Sequence, residues 1–326
     1  MGAPLGEFDL IARYFTRPVP AGRADIPLAV GDDCALLQPA TGEQWAVSTD
    51  TLVEGTHFLP TVDPAALGHK ALAVNLSDLA ACGAEPRCFF LALALPAIDE
   101  AWLHAFSTGM FALADAHGCV LAGGDTTRSP RGVVITITVM GAVPRGQALL
   151  RSGARPGDEL WVSGTLGDAA FGLAVRLGDS KAADDAVKGI DRLERPRPQI
   201  ALGRALRGVA SGAIDVSDGL LGDLGHIIER SDVGARVEWN RVPRSPELRR
   251  QPEADQRRWA LAGGDDYELL FTAPLGHRAD VERAAREAGV AVSRIGEITS
   301  TGRLELVDAD GRAMDTEARA FDHFRP

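Results

Sequence analysis

Apolar residues recur along this chain at two spacings. Between residues 64 and 82 they fall at Leu67, Leu72, Leu76 and Leu79, a helical pattern that Gly83 is placed to close. Residues 133–139 set Val133, Ile135, Ile137 and Val139 against Thr136 and Thr138, the period of a half-buried strand. The continuous run at 88–95, stopped by Pro96, predicts a buried strand and is too short to span a bilayer. Asp99 is placed to cap a helix over 100–117, with Gly118 ending it. A short strand at 119–122 then delivers Gly123-Gly124-Asp125, and a strand at 45–48 delivers a turn at Thr49-Asp50-Thr51.

Turn formers crowd residues 143–158, so the chain is expected to divide there into domains at 1–146 and 147–326. A length of 326 residues suits two cores better than one. The second half predicts strands at 159–163, 213–216, 235–239 and 269–272. Helices are expected at 168–177, 198–209, 220–229 and 278–288, a charged surface excursion at 178–195, and a hairpin around 308–311. On the helix at 64–82, Asn75, Asp78 and Cys82 share a face, so Asp78 looks away from the leucine stripe and toward whatever lies beside it. Strands and helices interleave throughout, which indicates an α/β chain.

Where apolar runs stop, acids collect. Six segments carry them: Gly31-Asp32-Asp33, Ser48-Thr49-Asp50-Thr51, Asn75-Leu76-Ser77-Asp78, Gly123-Gly124-Asp125-Thr126-Thr127, Asp215-Val216-Ser217-Asp218-Gly219 and Gly263-Gly264-Asp265-Asp266. One such segment alone reads as turn or cap chemistry. Six together offer hard oxygen donors of the kind Mg²⁺ takes, with room left for phosphate oxygens. A net charge of −11 argues against a nucleic-acid partner, yet small phosphorylated ligands stay possible if metal ions intervene. No P-loop, dinucleotide-binding or protein-kinase signature is present, so phosphoryl chemistry here would rest on metals.

Other residues leave two readings open. His57 is a ligand, base or substrate contact, or a solvated loop histidine. Arg151 holds a phosphate through its planar fork, or is a surface arginine. Asp265, Asp266 and Glu268 are too acidic to be idle in a turn, whereas Tyr267 reads as packing. Phe321 and Phe324 are core anchors or stacking residues. Four cysteines without CxxC spacing, and an amino terminus lacking an apolar signal segment, suit buried reduced thiols in a cytoplasm.

Taken in order, these segments resemble the thiamine-monophosphate kinase family, within a superfamily that includes aminoimidazole ribotide synthetase and selenophosphate synthetase. The likeness runs from Gly6-Glu7-Phe8 to Asp322-His323-Phe324. It implies two α/β domains with mixed sheets flanked by helices, the amino-terminal one building a homodimer. It also implies Mg-dependent transfer of the ATP γ-phosphoryl group to thiamine monophosphate. Carried over by position, Asp33, Ser48, Thr49, Asp50, Asp78, Asp125, Asp215 and Asp218 would hold Mg²⁺; Gly124, Asp125, Arg151 and Ser217 would meet ATP; His57, Asp265 and Phe321 would meet thiamine monophosphate. No general base is expected. Where the family usually has Glu, this chain has Asp265, shorter by about 1.5 Å. A sibling synthetase activity, or a non-catalytic sensor of the same ligands, would carry similar loop acids.

Overall fold

The computed structural model describes residues 6–30, 34–179 and 187–314. They fall into two compact units, Met1–Leu79 with Ala84–Gly146, and Ala80–Gly83 with Gln147–Pro326. Each is a mixed sheet flanked by helices.

In the first unit, helix α1 (Glu7–Leu10) runs into a π-helical turn, Ile11–Phe15. Strand β1 (Glu43–Val53), helix α2 (Pro64–Ala81), β2 (Glu85–Leu95), α3 (Glu100–Ala116), β3 (Val120–Arg128) and β4 (Val134–Pro144) follow. The sheet order is β1-β4-β2-β3, with β2 and β3 parallel and the other pairs antiparallel. Leu52, Phe89, Leu91, Leu93, Ile135, Ile137 and Val139 share the buried face, as strict alternation requires. The predicted cap is present: the Asp99 carboxylate accepts from the backbone N–H groups of Ala101 and Trp102.

Helices α2 and α3 touch backbone to backbone at two glycines. A Cβ on Gly68 would lie 2.0 Å from the Phe106 carbonyl oxygen, and one on Gly109 would lie 1.9 Å from that of Ala65. On the other face of the sheet, Thr49 pairs with Thr138 at 2.9 Å and Thr51 with Thr136 at 2.8 Å. Val47 is 57% exposed there. Ile26 and Ala29, from the segment before β1, cover Cys88 and Ala122 at one end of that face. Arg23 fastens the segment by a two-point pair with Asp25 and by donating to the carbonyls of Gly118 and Arg87.

The second unit contains β5 (Glu159–Ser163), α4 (Asp168–Arg176), α5 (Val187–Glu194), α6 (Ile200–Ala205), β6 (Gly212–Asp215) and α7 (Leu220–Ser231). Then come β7 (Gly234–Glu238), α8 (Pro246–Arg249), α9 (Glu253–Ala262), β8 (Leu269–Ala273), α10 (Arg278–Ala288), β9 (Val292–Thr299) and β10 (Leu304–Val307). The order is β10-β7-β9-β5-β8-β6, with only β10 and β7 parallel. Leu160, Val162, Phe171, Ile214, Leu224 and Trp259 belong to one apolar core.

Three expectations are corrected. Thr49-Asp50-Thr51 is the interior of β1, and Gly123-Gly124-Asp125 the interior of β3, so neither forms a turn. Part of the charged stretch at 178–195 is helix α5, whose Gly189 packs so closely on Gly172 of α4 that a Cβ on Gly172 would meet its backbone at 2.4 Å. The expectation for Asp78 agrees with the structure: it turns toward a neighbouring element, β1, and Asn75 faces the same strand. Cys34 is exposed and Cys82 half-buried, while Cys88 and Cys119 are buried; none of the four is in a disulfide. Burial pushes the Cys88 thiol up to about 12 and raises that of Cys119 as well.

The glycine contacts give opposite expectations for one substitution. Gly109→Ala should lower stability by about 1–3 kcal/mol, because overpacking against a carbonyl outweighs the gain in helix propensity. Gly225 in α7 has nothing within 4 Å of its Cβ position, so Gly225→Ala should raise stability by about 0.5–1 kcal/mol. Urea unfolding of both variants measures the two signs.

Candidate functional site

In the first unit the acid segments are set by strand alternation. Ser48, Asp50 and Leu52 of β1 point to the helix side, where Ser48 Oγ donates to Asp78 Oδ2 at 2.5 Å. The Asp50 backbone N–H donates to Asn75 Oδ1 at 3.1 Å, and Asn75 Nδ2 donates in turn to the Ala71 carbonyl. As an edge-strand residue, Asp50 would otherwise present that N–H to solvent. Ser48, Asp50, Asn75 and Asp78 therefore form one polar group between β1 and α2. Thr49 is separate, its hydroxyl lying on the opposite face against Thr138.

Asp125 is also separate. It sits on β3, at the far edge of the sheet from β1, in the row Thr51–Thr136–Ala92–Asp125. Three strand spacings make that about 14 Å along the sheet. Gly124 precedes it at φ +154°, where a Cβ would meet the Leu91 carbonyl oxygen at 1.9 Å. Glycine is required for this approach of β3 to β2.

His57 follows β1 in a tight loop. Its Nδ1 accepts the Val53 N–H at 3.0 Å, while Lys70 Nζ lies 3.4 Å from its carbonyl. An Nδ1 used as acceptor leaves the imidazole proton on Nε2, so the ring can donate a hydrogen bond outward in its neutral form.

In the second unit, Asp215 ends β6 and is buried. Asp223, in the first turn of α7, accepts the backbone N–H groups of Ser217 and Asp218 on one oxygen, both at 3.1 Å. Burial, joined by the nearby Asp218 charge, pushes the Asp223 carboxyl up to about 7 against those donors and against the Arg151 guanidinium. Arg151 thus lies in electrostatic reach of the Ser217–Asp218 turn. Gly219 closes the turn at φ +109°, where a Cβ would meet the Ala262 backbone at 2.8 Å.

The segment after α9 lies beside this turn. Asp265 N–H donates to the Ser217 carbonyl and Tyr267 N–H to that of Val216, both at 2.8 Å. Asp265 and Tyr267 have φ of +69° and +50°, left-handed values that cost about 1–2 kcal/mol each for residues with a Cβ. The residues between and after them are buried anchors. Asp266 accepts the Gly167 N–H at 2.7 Å, and Glu268 accepts from Ser163 Oγ at 2.5 Å, Gln199 Nε2 at 2.9 Å and Arg192. Burial drives both carboxyls above their usual range.

Asp33 and Phe321 lie outside the described residues. Ser48, Asp50 and Asp78 come together in one unit, and Arg151, Ser217, Asp218 and Asp265 in the other. Thr49 and Asp125 do not join the Ser48 group. Among the described residues, no three His, Cys, Asp or Glu side chains gather closely enough to hold a metal ion unaided. The donor sets still suit Mg²⁺, which takes one or two carboxylates and fills its octahedron with water and phosphate oxygens. Sequence reasoning missed Asp223, since an acid in a helix first turn signals only an offset to the macrodipole. A shallow groove of ~930 Å³ in the first unit, lined by Arg13, Glu100 and Phe111 among others, contains none of these residues. No helix among the described residues is long and apolar enough to cross a membrane.

Residues 31–143 match the model of the AIR synthase related protein, N-terminal domain, and residues 155–309 that of its C-terminal domain. The chain is 49% identical to thiamine-monophosphate kinase of Escherichia coli (strain K12) over 325 residues, 98% of each chain. The crystal structure of thiamine-monophosphate kinase from Stenotrophomonas maltophilia K279a superposes with a TM-score of 0.83 at 47% identity, covering 90% of this chain and 93% of that one. A structure described as AaThiL complexed with AMPPCP and TMP gives 0.77 at 30% identity, covering 91% and 92%. With both family domains in order and such identity from end to end, the chain belongs to the thiamine-monophosphate kinase family of AIR synthase-related proteins.

Proposed function

We propose that this protein transfers the γ-phosphoryl group of ATP to thiamine monophosphate, giving thiamine diphosphate and ADP. The observation that carries the reading is similarity to a named thiamine-monophosphate kinase over 98% of the chain. The relative complexed with AMPPCP and TMP supports both substrates. Domain roles follow the same reading. The part up to residue 146 supplies metal and ATP contacts and the dimer face; residues 147–326 complete the ATP and substrate sites.

The attacking group is a phosphate-monoester oxygen of thiamine monophosphate. With a second pKa near 6 it is already ionised at neutral pH, so no general base is required. What opposes reaction is repulsion between two polyanions, and transfer is direct and in line. Asp33, Ser48, Thr49, Asp50, Asp78, Asp125, Asp215 and Asp218 would hold Mg²⁺. Bound there, Mg²⁺ would supply the positive charge that offsets the phosphate charge of both reactants. Arg151, Gly124, Asp125 and Ser217 would meet ATP, with Asp223 fixing the turn that carries Ser217. His57 would donate from Nε2 to the substrate phosphate. Asp265 and Phe321 would meet the thiamine portion, where a carboxylate suits a cationic ring.

The assembly is proposed to be a homodimer formed through the open face of the first unit's sheet. Support comes from Val47, exposed on a face whose threonine hydroxyls pair within the sheet. A cytoplasmic setting agrees with four cysteines outside any disulfide.

Release of ADP, compared with thiamine, thiamine monophosphate and thiamine diphosphate as acceptors, tests the activity. Only the monophosphate should sustain it; ATP hydrolysis indifferent to acceptor would refute the assignment. Asp50→Asn and Asp125→Asn should each lower kcat by about 100-fold or more at saturating Mg²⁺, with unchanged circular dichroism. Near-wild-type turnover would remove those residues from the metal set. Asp265→Glu should keep or improve the KM for thiamine monophosphate, and a large loss would show a rebuilt substrate site. Val47→Glu should convert a dimer to monomers in sedimentation experiments, whereas an unshifted dimer would place the interface elsewhere.

A further inference from the structure

The segment 263–268 is built in a way that simple substrate contact does not require. Gly263 and Gly264 let it pass where side chains would not fit: a Cβ on Gly263 would lie 2.4 Å from both Ala170 Cβ and the Trp259 carbonyl oxygen, and one on Gly264 would lie 2.4 Å from that of Ser217. Beyond them, Asp265 and Tyr267 adopt left-handed backbone angles, separated by one residue. Asp266 and Glu268 go inward, 1% and 2% exposed, to the donors of Gly167, Ser163, Gln199 and Arg192. Arg192 also donates to the Asp266 carbonyl at 3.2 Å, so one guanidinium links the two anchors. With 266 and 268 committed inward, 265 and 267 share the other side, and Tyr267 Oη donates to Asp265 Oδ1 at 3.1 Å.

We infer that Tyr267 is a positioning residue, which sets the direction of the Asp265 carboxylate through its hydroxyl and is itself held by the Asp266 and Glu268 anchors. The inference rests on the reading that Asp265 meets thiamine monophosphate. A short acid has one fewer torsion with which to seek its ligand, so its neighbours must aim it. Strain at 265 and 267 is tolerated because both flanking carboxylates are tied down. Tyr267 is 9% exposed, and its ring is packed while its hydroxyl is committed to the acid.

The experiment is steady-state kinetics on the full chain: wild type, Tyr267→Phe, Asp265→Asn and the double variant, with both substrates varied. Tyr267→Phe should raise the KM for thiamine monophosphate about 5–10-fold, the scale of one ordinary intramolecular hydrogen bond. The KM for ATP, kcat and the thermal midpoint should stay near wild type. The double variant should match Asp265→Asn, because the hydroxyl has nothing left to aim. Full additivity, an unchanged KM, or equal losses in kcat and both KM values would each overturn the inference, the last by showing a purely structural role. An Asp265→Asn variant with wild-type KM would overturn it too, while leaving the kinase reading intact. If the wild type releases no ADP, the kinase reading fails by itself. The same four proteins are then compared by calorimetric binding of thiamine monophosphate, where an equal Kd for wild type and Tyr267→Phe, or no binding at all, overturns the inference.

Discussion

A carboxylate taken out of water must be given hydrogen-bond donors, and this requirement organises the second unit. An unpaired buried charge costs several kcal/mol. Asp168 is met by Thr165 Oγ1 and Ser245 Oγ, Asp158 by Ser211 Oγ, Asp223 by two backbone N–H groups, and Asp266 and Glu268 by donors from four different segments. These inner acids reach no ligand in the proposed reaction. They fix the turns from which Ser217, Asp218 and Asp265 project.

The first unit solves the same problem with regular structure. Its acids sit within strands and on a helix, so the pleat decides which of them share a side. Ser48 and Asp50 go one way with Asp78, and Thr49 goes the other. The two units thus position their oxygen-bearing side chains by different means, one by strand alternation and the other by turns held with buried acids. Phosphoryl transfer suits such a division, since it asks for positioned charge rather than for a reactive side chain.

Much of this was legible from residue order alone. The helix with its Asp99 cap, the strand at 159–163 and the helix at 278–288 follow from spacing and local signals, and the structure has them at or near those limits. Thr49-Asp50-Thr51 reads as a turn because polar residues in mid-strand look like one. They are stable there because β1 is an edge strand beside α2, whose Asp78 and Asn75 accept from the Ser48 hydroxyl and the Asp50 N–H. Helix α5 was hidden by its charges, since only Gly189 and Leu193 are buried in it. The candidate site residues are named by motif, but their grouping in the structure is not legible there. Neither the separation of Asp125 from Asp50 nor the left-handed angles at Asp265 and Tyr267 leaves any mark on composition or periodicity. A positive φ in a residue with a side chain is imposed by its surroundings, here by the two inward anchors.

The paired glycines between α2 and α3 bear on the acid ten residues further along. At 1.5 Å per residue, Asp78 stands about 15 Å down the axis from Gly68. Were the crossing to pivot by only 5°, that carboxylate would swing by roughly 1.3 Å, nearly two thirds of a Mg–O bond length. Contact between bare backbones leaves no side chain to flex, so the fulcrum is stiff and the lever stays true. The tolerance of the proposed metal group is therefore set at a distance, by two residues that carry no functional atoms of their own.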